Sequence, residues 1–146
     1  MSGHANGRLT AAVIAVPLIL ALAACGDSDK KKASEAANAA CPSSISQTAS
    51  TALPSDIPSP GGNAYDYTSQ GKTQVWFFAV DGSADQLPTL RDGYDTKLTA
   101  QGYKIEGTDQ EEGAEAESDF SGPHEGTTNF RPLCSGKVVL RLKLTS

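Results

Sequence analysis

The chain has 146 residues and a formal net charge of −5, with 17 Asp and Glu against 12 Lys and Arg. This length fits one modest domain and excludes a multidomain enzyme. The acidic balance argues against binding to nucleic acid, because contact with a phosphate backbone requires a basic surface that displaces counterions. We therefore expect no nucleic-acid partner.

Residues 1–24 have the organisation of a signal peptide. Arg8 is their only basic side chain, and an apolar run follows from residue 11 to residue 24, interrupted only by Pro17. The run is too short to cross a hydrocarbon core about 30 Å thick, which takes roughly 20 helical residues. A helix of a folded domain would show polar residues on one face, and this run has none. We expect these residues to be removed after export.

The apolar run ends in Leu22-Ala23-Ala24-Cys25. This ending resembles the lipobox of bacterial lipoproteins, in which an aliphatic residue and two small residues precede a cysteine. The resemblance implies that Cys25 carries diacylglycerol, becomes the mature N-terminus and anchors the chain to the extracytoplasmic face of the cell membrane. The alternative is an ordinary cleavage site with an incidental cysteine, since alanine-rich ends are common in signal peptides.

Residues 25–40 contain little large apolar surface, which predicts a lipid anchor followed by a flexible tether. The basic run Lys30–Lys32 is placed to approach anionic lipid headgroups. A solvated linker is the competing interpretation, because Asp27 and Asp29 lie beside the lysines.

Two cysteines, Cys41 and Cys134, remain once Cys25 is assigned to lipid. Exported chains meet an oxidising environment, so we predict a disulfide that joins the start of the domain to its last part. A metal site is the weaker alternative, because it needs further ligands and the mature chain has a single histidine, His124. We expect no metal and no cofactor.

A single domain is predicted over residues 41–146, opening with an extended proline-rich arm at 41–62. Two strand-like runs, 64–68 and 73–80, flank a turn in which Gly71 can take a positive φ, and they predict a β-hairpin. Both faces of the second run are apolar. This predicts an internal strand, or one that the arm covers on the side the helix does not reach.

One helical pattern follows the hairpin. Ser83 and Gln86 form a capping box at its start, and Gly102 is a natural stop. Arg91 and Lys97 lie off its apolar stripe, so alanine at either position is expected to be near neutral. The stripe itself consists of Leu87, Leu90, Tyr94 and Leu98.

Four further strand candidates follow the helix, at 103–106, 114–120, 127–131 and 137–144. The order of elements predicts an α+β fold, in which one antiparallel sheet packs a single helix on one face and the disulfide staples the domain. This arrangement is similar to small α+β domains of lipoproteins from high-GC Gram-positive bacteria, a group without a motif specific enough to transfer a function.

The sequence contains no recognisable catalytic motif, and we assign no catalytic residue. His124 lies in the segment Gly122-Pro123-His124-Glu125-Gly126 and is interpreted as a solvated turn residue. Residues 106–125 hold eight carboxylates, which we interpret as a mobile, solvated hairpin, with weak calcium binding as the alternative.

Two functions are compatible with the sequence. The favoured one is a non-enzymatic domain whose sheet or acidic loop contacts an envelope protein or a small ligand. The alternative is a hydrolase or transferase of envelope substrates, with His124 and some of the acids in a cleft.

Overall fold

The computed structural model describes residues 26–145. The predicted signal peptide, 1–24, and the predicted lipidation site, Cys25, lie outside this part of the chain. The described residues form two α-helices, α1 (Gly26–Asn38) and α2 (Leu87–Ala100). They also form six strands: β1 (Asn63–Gln70), β2 (Thr73–Asp81), β3 (Lys104–Glu111), β4 (Glu115–Ser121), β5 (Glu125–Cys134) and β6 (Lys137–Thr145).

The six strands make one antiparallel sheet in the order β1-β2-β6-β5-β4-β3. This confirms the predicted α+β class and antiparallel sheet. The connection from β2 to the far edge at β3 must span about 19 Å, because it crosses four spacings of about 4.8 Å. Helix α2 has 14 residues and is about 21 Å long, so it suits this crossing.

The core lies between α2 and one side of the sheet, called the inner face. Alternate residues of β6, from Val138 to Leu144, are buried there, as the period of two in their sequence predicts. The predicted stripe of α2 is confirmed, since Leu87, Tyr94 and Leu98 are buried and Leu90 is partly buried. The backbone N–H of Ser83 donates to Oε1 of Gln86 at 3.1 Å, which confirms the capping box.

The prediction of a single helix is wrong, because α1 lies within the segment expected to be a flexible tether. Alanine is the strongest helix former, and this segment is rich in it. Ala33, Ala36 and Ala37 are half-buried, and α1 packs against β5. The small side chains let the helix lie close to the sheet. Contact with the sheet therefore stabilises a helix that the low apolar content of this segment did not indicate.

The N-terminal arm, residues 41–62, packs on the inner face beside α2. Ile57 is buried, Nε1 of Trp76 donates to the carbonyl of Thr51 at 3.1 Å, and the hydroxyl of Tyr94 donates to the carbonyl of Pro58 at 3.0 Å. The arm therefore shares a face with the helix. Strand β2 is internal, flanked by β1 and β6, which confirms the first of the two predictions made for it.

The predicted disulfide between Cys41 and Cys134 is confirmed, with the two Cα atoms 5.0 Å apart. Next to it, the backbone N–H of Ser135 donates to the carbonyl of Ala39 at 2.8 Å. The start of the domain is thus joined covalently and by a hydrogen bond to the turn between β5 and β6.

The environment of Arg91 contradicts the basis on which its replacement by alanine was expected to be near neutral. Its side chain is buried, with 7% of the residue exposed, although it lies off the apolar stripe. Nη1 donates to the carbonyl of Asp109 in β3 at 3.1 Å, and Nη2 pairs with Asp92 at 2.8 Å. The guanidinium therefore links α2 to an edge strand, which helical periodicity alone does not indicate.

Candidate functional site

The side of the sheet opposite α2 is called the open face. Side chains that alternate with the core residues along each strand lie on it. The strand register aligns one row of these residues across all six strands. From β1 to β3 in sheet order, the row is Asp66, Phe77, Arg141, Asn129, Glu117 and Asp109.

The open face contains a shallow depression of about 450 Å³. Its lining includes the rings of Tyr65 and Phe77, whose centroids are 6.3 Å apart, and the side chains of Val139, Arg131 and Arg141. Aromatic and arginine side chains together are enriched in binding surfaces, because they combine a large contact area with directional hydrogen bonds.

Asn129 holds two carboxylates of β4 at one side of this depression. It is 6% exposed, and its Nδ2 donates to Oε2 of Glu117 at 2.8 Å and to Oε2 of Glu115 at 3.1 Å. Arg131 also forms an ion pair with Glu115. The carboxylates of β4 are therefore held by neighbouring strands, and Arg131 is already partnered.

Arg141 differs from Arg131 in having no partner. Within the described part of the chain it makes no side-chain hydrogen bond or ion pair, although it stands between Phe77 and Asn129 in the row. Lys143, two residues on and on the same face, is likewise without one among these residues. A guanidinium offers five N–H donors in a planar fork that matches a carboxylate or phosphate. Among the described residues, Arg141 and Lys143 are thus the two unpartnered cationic side chains of β6 on the open face, and of the two only Arg141 lines the depression.

His124 meets a carboxylate, although the sequence indicated a solvated turn. Its Nε2 lies 3.3 Å from Oδ2 of Asp56, and the hydroxyl of Tyr103 donates to the same oxygen at 2.7 Å. The Tyr103 hydrogen bond holds the pKa of Asp56 below its usual value, and burial raises the pKa of Tyr103. These residues link the N-terminal arm to the turn between β4 and β5, and His124 does not line the depression on the open face.

Asp95 is a second polar residue that sequence reasoning missed. It is buried between α2 and β4, where its Oδ2 accepts a hydrogen bond from the Ser118 hydroxyl at 2.6 Å. Oδ1 has no partner among the described atoms, and burial raises the pKa of this carboxyl. The available signal was its spacing of four from Arg91, which places both polar side chains on one side of the helix.

The acidic stretch, 106–125, is built mainly into β3 and β4. Glu106 pairs with Lys104 at 2.8 Å and accepts a hydrogen bond from Ser121 at 2.5 Å, while Asp119 accepts one from Thr127 at 3.0 Å. In the described part of the chain, no three His, Cys, Asp or Glu side chains are grouped so as to hold a metal ion. Weak calcium binding, the alternative interpretation of this stretch, stays a prediction.

No helix formed by the described residues is both long and apolar enough to span a membrane. No protein-family model, curated protein or solved structure matches this chain.

Proposed function

We propose that the chain is a lipid-anchored lipoprotein on the extracytoplasmic face of the cell membrane, and that its domain binds another envelope component without catalysing a reaction. The lipobox-like ending at Cys25 supports the anchor. The disulfide between Cys41 and Cys134 fits an oxidising compartment. The open face is the surface that we assign to binding.

The unpartnered guanidinium of Arg141 is the observation that supports the binding role. It lies on an internal strand beside Phe77, in a depression that also exposes Tyr65 and Val139. Its guanidinium makes no hydrogen bond or ion pair with the described side chains, and its planar fork fits an anionic group of a partner. The aromatic rings beside it would supply apolar contact area to the same partner.

The alternative, a hydrolase or transferase, has less support. Asp56 provides the carboxylate that His124 would need, at 3.3 Å. The same oxygen already accepts the hydroxyl of Tyr103, and this cluster links the arm to the sheet. We therefore favour a binding role for the domain.

The anchor is tested by replacing Cys25 with Ala. The variant is expected to be released from the membrane or to stay unprocessed, because it lacks the thiol to which diacylglycerol would be attached. Membrane fractionation and the mass of the N-terminal peptide measure both results. A processed variant that remains membrane-bound, together with a parent peptide that carries no lipid, would show that the lipobox assignment is wrong.

The binding role is tested by placing a photo-crosslinking phenylalanine analogue at Phe77 in living cells. A discrete crosslinked product is expected, and Arg141→Glu should lower its yield about tenfold or more, because a hydrogen bond to a charged group contributes about 1.5–3 kcal/mol. The matched control places the analogue at Thr96, which is exposed on α2. Equal yields from both positions, or a yield from Phe77 that Arg141→Glu leaves unchanged, would contradict the proposal.

A further inference from the structure

The chain has no room for a flexible linker between the proposed anchor and the sheet. Helix α1 begins at Gly26, the residue after Cys25. One residue past its C-terminal end, the carbonyl of Ala39 accepts a hydrogen bond from Ser135 at 2.8 Å, and Cys41 is bonded to Cys134. Both ends of the helix are therefore constrained, one by lipid and one by the sheet.

Helix α1 lies across one end of the sheet. Its half-buried residues Ala33 and Ala36 line a cleft of about 320 Å³ with Ala114, which precedes β4, and Pro132, near the end of β5. Asp29, one turn nearer the N-terminus, lines the same cleft. The helix thus runs from the turn between β5 and β6 toward the turn between β3 and β4, and it carries the anchor to that end.

From this geometry we infer that the lipid-anchored domain stands upright on the bilayer, on the end of the sheet that α1 crosses. The surface that α1 faces is then the lipid headgroup layer, because the anchor holds this end of the domain at the bilayer. The inference rests on the proposed anchor at Cys25. It deepens the proposed function. If the domain stands upright, a partner of the open face must lie no farther from the bilayer than the domain itself reaches.

Packing rather than charge holds this orientation. The sequence of α1 contains three lysines and also Asp27, Asp29 and Glu35, so the helix has no net charge to draw it to anionic lipid. Two chains of a diacylglyceryl group anchor a protein stably without a basic patch. The contacts of Ala33 and Ala36, together with the disulfide, hold α1 against the sheet and so fix the orientation of the domain relative to the anchor.

The far end of the sheet is the turn between β1 and β2. Lys72 lies in this turn, whereas Asp81 pairs with Lys137 at the α1 end. The nine residues of β2 span about 26 Å at roughly 3.3 Å per residue. In the upright orientation, Lys72 is therefore higher above the bilayer than Asp81 by about 26 Å, and Arg141 stands between these levels.

The experiment uses the full mature lipidated chain in phosphatidylcholine vesicles with an energy-transfer acceptor on the headgroups. A dye at Lys72→Cys is expected to lie about 26 Å farther from the acceptors than a dye at Asp81→Cys. The variant Ala33→Glu with Ala36→Glu should undock α1 and reduce this difference by at least half. The matched control, Ser28→Glu with Ser34→Glu, adds the same charge at exposed positions of α1 and should keep it.

Mass spectrometry of the N-terminal peptide separates this inference from the proposed anchor. A lipid adduct on Cys25 with equal heights for the two dyes would overturn the inference and leave the anchor intact. An adduct with a height difference that the undocking variant does not change would also overturn it. A parent chain without the adduct would overturn the anchor, and the inference with it.

Discussion

Replacing Cys41 and Cys134 together by alanine is expected to lower the free energy of unfolding by as much as about 4.6 kcal/mol. The bond closes a loop with a sequence separation of 93 residues, and loss of such a bond returns conformational freedom mainly to the unfolded chain. It also frees the end of α1, which the bond holds beside β5. Denaturant unfolding of the parent and the double variant measures the difference.

The control for this prediction is the parent protein unfolded in the presence of a reductant. Reduction should reproduce the effect of the double substitution, because both remove the same constraint. Cys134 is buried and Cys41 is exposed, so the loss of packed atoms is confined to one side of the bond. A double variant as stable as the oxidised parent would mean that the bond constrains little of the unfolded chain.

Leu98→Ala is expected to destabilise the domain by about 2–5 kcal/mol. The side chain is fully buried between α2 and the sheet, so its removal loses apolar burial and leaves a cavity that the packed β-strands cannot close. The change in the free energy of unfolding in urea measures the cost. Lys97→Ala, at the exposed neighbouring position, is the matched control and should change it by less than about 0.5 kcal/mol. Similar costs at both positions would contradict the assigned face of the helix.

The sequence by itself determined the strands, the main helix and the disulfide. All six strand candidates correspond to strands, and the helical stripe and its capping box are in place, because period, capping and turn chemistry act over a few neighbouring residues. The pairing of Cys41 with Cys134 followed from the count of cysteines and the expected compartment.

Only the tertiary structure decided how these elements use their polar and small side chains. Arg91 and Asp95 are buried because β3 and β4 lie over one side of α2, and Ala33 and Ala36 form a docking surface because β5 lies beneath them. The row that contains Phe77, Arg141 and Asn129 depends on strand register, and its partners Phe77 and Arg141 are 141 − 77 = 64 residues apart in the chain. No local pattern encodes a register over such a separation. Contacts across such separations form only when the whole sheet is assembled, so they were decided by the fold rather than by any segment of the sequence.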